Sequence, residues 1–515
     1  MTTRATQVLV IGAGATGLGV AWDACLRGLS VTVVEQGDLG QGTSGRYHGL
    51  LHSGGRYVLS DPASAADCRR ENEVVRRLIP HAVEPTGGFF LSTSDDSPEF
   101  AEKWLVAARH LGLPVDEVSP SAALQREPLL TPRLQRVFEV RDAALDSFEL
   151  LHALARGVGQ AGGSVLTRHR VSGLVPHRDG LLARIVPPGG ESPYQLEALF
   201  VVNAAGPFAG SVAAMAGAHL PLALGKGSMV AMASRLTQTV LNRCKPPHDG
   251  DIIVPVGTVC VLGTTDVPVR SASDLAIEPW EVDLLLTEGQ VLIPTLRRHR
   301  ALRAWAGIRP LYRPASDRSA TRGLPRSHIM VDHRSSDGVA GLLSIIGGKL
   351  TTYRQMAQDV VDHIASQVPS AGPCRTATQA LPTLEARPYA LGERPARLRR
   401  LPALDSIVCE CEAVTRSDIE QALQQSLSSD LDDLRRDLRL GMGPCQSAFC
   451  GYRAAALASS RLTDSPTDGG LAAFSQERWR GLRPLAWGRS LRQAEFLRRI
   501  NVELLGVRES AAENP

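Results

Sequence analysis

Residues 7–35, QVLVIGAGATGLGVAWDACLRGLSVTVVE, spell out a complete βαβ unit. Gln7 to Ile11 is an apolar run that reads as a buried strand, and it ends on Gly12, Gly14 and Gly17 of a G-x-G-x-x-G motif. A helix follows to about Arg27, then a second strand, Ser30 to Val34, ends in Glu35, eighteen positions beyond Gly17. Each part has a physical task. The glycines let backbone approach a pyrophosphate at a helix N-terminus, and the acid takes the ribose hydroxyls. With strand, helix, strand and acid in register, the stretch predicts a dinucleotide site.

Gly157, Gly159 and Gly162 also match G-x-G-x-x-G, yet they follow a helical segment, Phe148 to Arg156, and precede the strand-like SVLTRHRVSGLV. That order is the reverse of what a phosphate site requires, so the match reads as a helix stop and turn. A second nicotinamide-type nucleotide unit is therefore not expected. LFVVNAAGPF, Leu199 to Phe208, is another buried strand, running into Ala204-Ala205-Gly206. SIIGGKLTTYRQMA places Gly347-Gly348 between an apolar strand and a helix beginning near Leu350, where backbone amides again suit an anionic or carbonyl-rich ligand.

Four of the nine cysteines crowd the C-terminal part as C-x-C-x33-C-x4-C: Cys409 and Cys411 in VCECE, then Cys445 and Cys450 in GMGPCQSAFC. Four thiolates are the usual ligand set of an iron–sulfur cluster. Zinc is a second reading, although zinc pairs favour C-x2–4-C, and four unrelated core cysteines are a third. The other five, Cys25, Cys68, Cys244, Cys260 and Cys374, are scattered and read as packing residues. An organic redox cofactor beside a one-electron carrier describes a dehydrogenase feeding an electron-transfer chain.

The chain of 515 residues has a length of about three domains, with 43% hydrophobic and 21% charged residues, as in ordinary globular proteins. A net charge of +3 gives no general argument for nucleic acid. Nine cysteines are too sparse for a disulfide scaffold, no signal peptide is recognisable, and no run of 18 apolar residues occurs. The expectation is a cytoplasmic protein that meets a membrane only peripherally. Pro382, Pro388, Pro395 and Pro402 among arginines mark a linker.

GAGATG, GRYHGLLHSGGRY, the KGS of GKGSM, GTT, GIRPLY, GGKLTTYR, VCECE, GMGPC and RPLAWG together resemble the catalytic A subunits of anaerobic FAD-dependent glycerol-3-phosphate dehydrogenases, over nearly the whole length. The C-terminal part resembles a bacterioferritin-associated-ferredoxin-like 2Fe–2S domain, with C-x4-C where C-x2-C is commoner. The resemblance implies FAD on Gly12, Gly14, Gly17 and Glu35. It also implies that Thr43, Ser44 and Gly45 lie near the pyrophosphate, and Gly206 with Gly347, Gly348, Lys349, Leu350 and Thr351 along the flavin. Arg56, Tyr57, Arg309, Arg326 and Lys349 match substrate-side positions. Arginine suits a phosphate because its planar fork donates two parallel hydrogen bonds. Aerobic relatives carry histidine after KGS, where this chain has Met229. His52 is then the nearest base, with Lys349 or Arg309 as alternative stabilisers of an alkoxide, and a structural His52 equally open.

The expected fold is α/β, a glutathione-reductase-like FAD-binding domain (about 1–75, 150–210 and 335–370) interleaved with a β-rich substrate domain (about 76–149 and 211–334). A linker at 381–404, a small helical 2Fe–2S domain at 405–460 and a helical tail at 461–515 follow. The tail mixes Leu497, Ile500 and Leu504 at helical spacing with many arginines. The implied reaction is oxidation of sn-glycerol 3-phosphate to dihydroxyacetone phosphate. Electrons would leave through the cluster to flavoprotein and iron–sulfur membrane-anchor subunits and then a quinone. The rivals are an FAD dehydrogenase of another 2-hydroxy or amino acid, and a non-catalytic electron-transfer module.

Overall fold

The computed structural model describes residues 3–314, 321–383, 388–402, 405–424, 430–459 and 470–504. Strand β1 (Thr3–Ile11), helix α1 (Ala15–Leu26) and strand β2 (Val31–Val34) form the βαβ unit, with β1 starting four residues earlier than its apolar run. β1 and β2 are parallel, Val8 opposite Val31 and Ile11 opposite Val34, so the turn after β1 and Glu35 after β2 leave the sheet side by side. Gly12 has φ +102°, and a Cβ there would meet the Ala204 carbonyl oxygen at 2.7 Å. A Cβ on Gly17 would lie 1.9 Å from the Gly12 carbonyl oxygen, so the third glycine is what lets α1 start directly against the turn.

Parallel pairing repeats on the other flank of β1. The Tyr194–Asn203 strand sets Asn203 opposite Ile11, and the Leu342–Gly347 strand sets Ser344 opposite Asn203. The carboxyl ends of these strands therefore deliver Gly12, Glu35, Gly206 and Gly347 to one edge of an eight-stranded sheet, where α/β proteins bind ligands. The sheet is buried by α1 packing on the Ser147–Gln160 and Tyr353–Ala365 helices. The first of these two helices runs through Gly157 and Gly159, four residues past the expected stop at Arg156, and of the second glycine motif only Gly162 (φ +86°) lies in the turn, while a Cβ on Gly157 would meet the Trp22 ring at 3.0 Å. The segment after Gly348 opens as a 3-10 turn, Leu350–Thr352, before the Tyr353–Ala365 helix.

A nine-stranded, mostly antiparallel sheet forms the second body. Its long Leu222–Met232 and Ala301–Tyr312 strands pair with Gly225 opposite Arg309. Met229 is 1% exposed in that body's core, as an apolar residue after KGS should be.

The Cys-bearing body has its own core of Val408, Ile419, Leu434, Ala454 and Phe474. The proline-rich stretch is not a bare spacer. It contains the short Arg394–Leu398 helix, whose Arg394 and Arg397 donate to the carbonyls of Cys411 and Ala413 at 2.9 and 2.8 Å. Residues 384–387 and 403–404 of that stretch lie outside the described residues. The tail is broken into the Leu471–Leu482 and Gly488–Arg499 helices and a π-helical Ile500–Leu504. Leu497 is buried and Leu504 is 77% exposed, so the two do not share one apolar face. Residues beyond 504 of the expected tail helix are outside the described residues.

Candidate functional site

A cavity of about 1220 Å³ runs from the βαβ turn to the interface with the second sheet. At its first end, Glu35 accepts hydrogen bonds from the Ala13 and Gly37 amides, both at 2.8 Å. Burial raises the pKa of its carboxyl, and the amide donors pull the other way. Ser44 Oγ accepts the Ala15 amide at 3.0 Å, at the N-terminus of α1 beside Gly14. Thr43 donates to the Ile308 carbonyl at 2.7 Å, tying this loop to the strand that carries Arg309. Gly206, Gly347, Gly348, Leu350 and Thr351 line the far wall. Gly17 and Gly45 do not line the cavity. Their α-carbons pack against the Gly12 and Gly40 carbonyls, so both act by close approach rather than by contact with a ligand.

The cavity fits an FAD-sized ligand: an elongated cleft, glycine backbone at a helix N-terminus, and an acid held at the ribose position by the turn itself.

At the other end five cations converge. Arg309 donates to Thr264 Oγ1, to the Thr265 carbonyl at 3.1 Å and to Asp266 at 3.1 Å. A Cβ on Gly227 would stand 2.4 Å from the Arg309 guanidinium, so the glycine of KGS makes room for it. Lys226 of the same motif is elsewhere, in a buried pair with Glu281 at 2.9 Å. Arg56 pairs with Asp251 at 2.9 Å, and Arg326 stands 3.7 Å from Asp266. Lys349 donates to the Arg326 carbonyl at 3.0 Å and lies 4.2 Å over the Tyr57 ring. Arg322, paired with Asp249, completes the group. Burial lowers the pKa of Lys349 and brings that of Arg309 down to about 10. An added dianion would be welcomed by both.

His52 sits between these cations and the flavin wall, its amide bonded to Thr351 Oγ1 at 3.1 Å. Burial lowers its pKa well below that of free imidazole, and His48, Lys349 and Arg56 push in the same direction. His52 is thus neutral at physiological pH and able to accept a proton. His48, edge-on to it at 5.8 Å and itself lowered to about 3 by burial, also lines the cavity. Sequence reasoning named neither His48 nor Arg322, and the signals were present. His48 lies four residues before His52 inside GRYHGLLHSGGRY, and Arg322 four before Arg326. The pairing carboxylates Asp251 and Asp266 had no such signal, since both come from distant strand ends.

The four late cysteines come together. Cys411 neighbours Cys445, Cys445 neighbours Cys450, and Cys450 neighbours Cys409. Among the described residues no three His, Cys, Asp or Glu side chains converge on a point as a single-metal site requires. Backbone amides of Glu412 and Gly441 point to the Cys409 sulfur, and those of Ser447 and Ala448 to that of Cys445. They favour anionic sulfur, the form a cluster needs. The longer Cys445–Cys450 loop closes through two consecutive left-handed residues, Gln446 and Ser447 (φ +50° and +71°).

Comparison with known proteins agrees with this architecture. The FAD dependent oxidoreductase family matches residues 7–354, and the BFD-like [2Fe-2S] binding domain matches residues 407–459. The chain is 38% identical to the A1 subunit of the anaerobic glycerol-3-phosphate dehydrogenase of Haloferax volcanii, over 99% of this chain and 92% of that one. It is 37% identical to the A subunit of the anaerobic glycerol-3-phosphate dehydrogenase of Escherichia coli strain K12, over 98% of each. Among solved structures, the FAD complex of the Bacillus halodurans glycerol-3-phosphate dehydrogenase superposes with a TM-score of 0.61 and 21% identity, covering 99% of this chain and 97% of that one. The chain belongs to the FAD-dependent oxidoreductases, in the family of anaerobic glycerol-3-phosphate dehydrogenase A subunits, and its cofactors are FAD and a [2Fe–2S] cluster.

Proposed function

We propose that this enzyme oxidises sn-glycerol 3-phosphate to dihydroxyacetone phosphate and sends the electrons through Cys409, Cys411, Cys445 and Cys450 to partner subunits and a membrane quinone. The observation that carries the substrate assignment is the group of Arg56, Arg309, Arg322, Arg326 and Lys349 at the flavin end of the cavity. A 2-hydroxy acid or an amino acid presents one carboxylate. Five cations against four carboxylates (Asp61, Asp249, Asp251 and Asp266) leave one net positive charge, and four of the five are guanidinium forks, which suit the three oxygens of a phosphate better than the two of a carboxylate.

Bound FAD supplies the acceptor for the hydride leaving C2 of the substrate. Arg309 and Arg326, with Asp266 orienting both guanidinium groups, hold the phosphate. Lys349, fixed against Tyr57, faces the substrate oxygens and offsets charge growing on the C2 oxygen. Neutral His52 takes the hydroxyl proton, so the alcohol loses a hydride and a proton and becomes a ketone. The phosphate dianion itself compensates the Lys349 and Arg56 charges that otherwise disfavour an imidazolium.

The exit for electrons follows the chain. The hairpin of the Ile252–Val256 and Val259–Gly263 strands carries Ile252 and Thr264 at the cavity, and its tip, Thr258, meets the cysteine loop at Gly443. No described helix is long and apolar enough to cross a membrane, so contact with a quinone is assigned to partner subunits. The test is a steady-state assay with an artificial acceptor on glycerol 3-phosphate, glycerol, a 2-hydroxy acid and an amino acid. Equal efficiency on any of the last three would reject the substrate assignment.

A further inference from the structure

A second cavity, of about 330 Å³, lies where the cysteine-bearing body and the tail helix meet the main body. Seven arginines and three carboxylates line it. Arg478, on the Leu471–Leu482 helix, is 5% exposed. Its NH1 donates to the Gly441 carbonyl at 3.0 Å, while its Nε and NH2 have no partner. Arg303, on the Ala301–Tyr312 strand, is largely buried, with an unpartnered Nε, Glu477 at 3.9 Å and Asp432 further off as counter-charges. The buried Tyr389 hydroxyl, also at the cavity, has no partner either. The carboxylates present are largely committed. Asp432 takes Arg435 Nε at 2.6 Å and also Arg436, and Asp146 faces Arg439 at 3.6 Å.

Burying guanidinium groups with spare donors is costly unless an anion completes them. Burial and neighbouring arginines pull the pKa of Arg478 well below its usual value and that of Arg303 to about 10, as an unfilled cationic pocket would. The opposite wall is apolar: Val256, Val259, Val261 and Trp305. The volume lies at the low end of small-molecule sites, about 300–1,000 Å³, and exceeds what a bare phosphate ion fills.

We propose that this cavity is a second ligand site, distinct from the substrate end, which takes an organic phosphate. Its dianionic head is held by Arg478, Arg303 and Tyr389, and its compact apolar body rests against Val259, Val261 and Trp305. Gly40, Gln41, Arg46, Tyr47 and His48 line both this cavity and the first, so one loop has the flavin site on one side and the new ligand on the other. Occupancy then registers in the flavin absorption spectrum. The site is built by the geometry of this cavity alone and stands whichever substrate the active site oxidises.

The test uses full-length holoenzyme titrated with phenyl phosphate in a calorimeter, with phenol as the uncharged control. Wild type should bind phenyl phosphate at the substrate end and at this second site, Arg309→Ala should weaken only the first and keep a saturable site, and neither should bind phenol. Arg478→Gln should weaken binding at this second site about tenfold or more, the loss expected for a charged hydrogen bond. Its KM for the oxidised substrate should stay within about twofold of wild type, because the residue lies outside the first cavity. If Arg478→Gln does not accumulate as folded protein, Arg303→Gln replaces it and should show the same loss. No saturable binding at millimolar phenyl phosphate overturns the proposal. So does binding that Arg309→Ala abolishes and the Arg478 or Arg303 variant leaves intact.

Discussion

Arg309 is held by Asp266, which is buried and also faces Arg326, so one carboxylate aims two guanidinium groups. This makes the alanine variant worse than a simple loss of one charge. A charged hydrogen bond contributes roughly 1.5–3 kcal/mol, so Arg309→Ala should lower kcat/KM for glycerol 3-phosphate about tenfold to over a hundredfold. Part of that loss is the Asp266 carboxylate left facing the phosphate. The double variant Arg309→Ala/Asp266→Asn should therefore recover some of it, and a double variant no better than the single one would show that Asp266 is not felt at the substrate. His52 supplies a pH test. Its pKa in the folded protein is lowered, so the neutral, proton-accepting form persists as pH falls through 6.5 and disappears only below it. The acidic limb of kcat/KM should thus lie below pH 6.5. The limb of kcat should lie higher, because bound phosphate offsets Lys349 and Arg56. His52→Gln should abolish the limb. A limb that survives this substitution would remove His52 as the base.

At the scale of elements, the βαβ unit was legible because its chemistry is local. Three glycines and an acid at fixed spacing admit few geometries, and register alone brings Glu35 to Ala13. Gly14→Val should accordingly yield protein with little or no FAD, read as flavin absorbance per chain, because a side chain at the turn would point at Ser44 Oγ, 3.1 Å from the first added carbon. Normal flavin content would contradict the assigned pyrophosphate position. The four cysteines were legible as a group for the same reason, whereas the packing around them was not. The proline-rich stretch looks like a spacer, yet long-range ion pairs bind the two bodies: Arg168 to Asp433, Arg436 to Asp38 at 3.1 Å, and Arg439 to Asp146. Such pairs join residues more than 250 positions apart and leave no periodic trace. Cys445→Ser should still remove iron and sulfide while FAD remains, because no cysteine of the group lines the flavin cavity. Loss of FAD together with the cluster would mean that the bodies fold as one cooperative unit.

On the proposed function the whole molecule is an electron path with its two ends on different bodies, and the surface beside the second end carries exposed apolar side chains. Phe449 and Tyr452 beside Cys450 are 57% and 48% exposed, and Ile407, two residues before Cys409, is 40% exposed. On the tail, Trp487, Leu491, Phe496 and Leu504 are exposed as well. Large apolar side chains left in water beside the cysteine group suit the partner surface that the proposed function requires. Neither tail helix exceeds twelve residues, and no described helix is long and apolar enough to span a bilayer; on the proposed reading this apolar surface docks a partner. The chain expressed alone should stay in the supernatant after centrifugation of membranes, reduce artificial dyes with glycerol 3-phosphate, and reduce membrane quinone hardly at all. Co-expressed with its membrane-anchoring partners, it should move to the membrane fraction and gain quinone reduction. Replacing Phe449 and Tyr452 by serine should then cut quinone reduction while leaving dye reduction near wild type, since neither residue lines the flavin cavity. Equal losses in both assays would place the two aromatics in internal transfer. Salt-resistant membrane binding by the isolated chain would place the anchor in this polypeptide instead of in a partner.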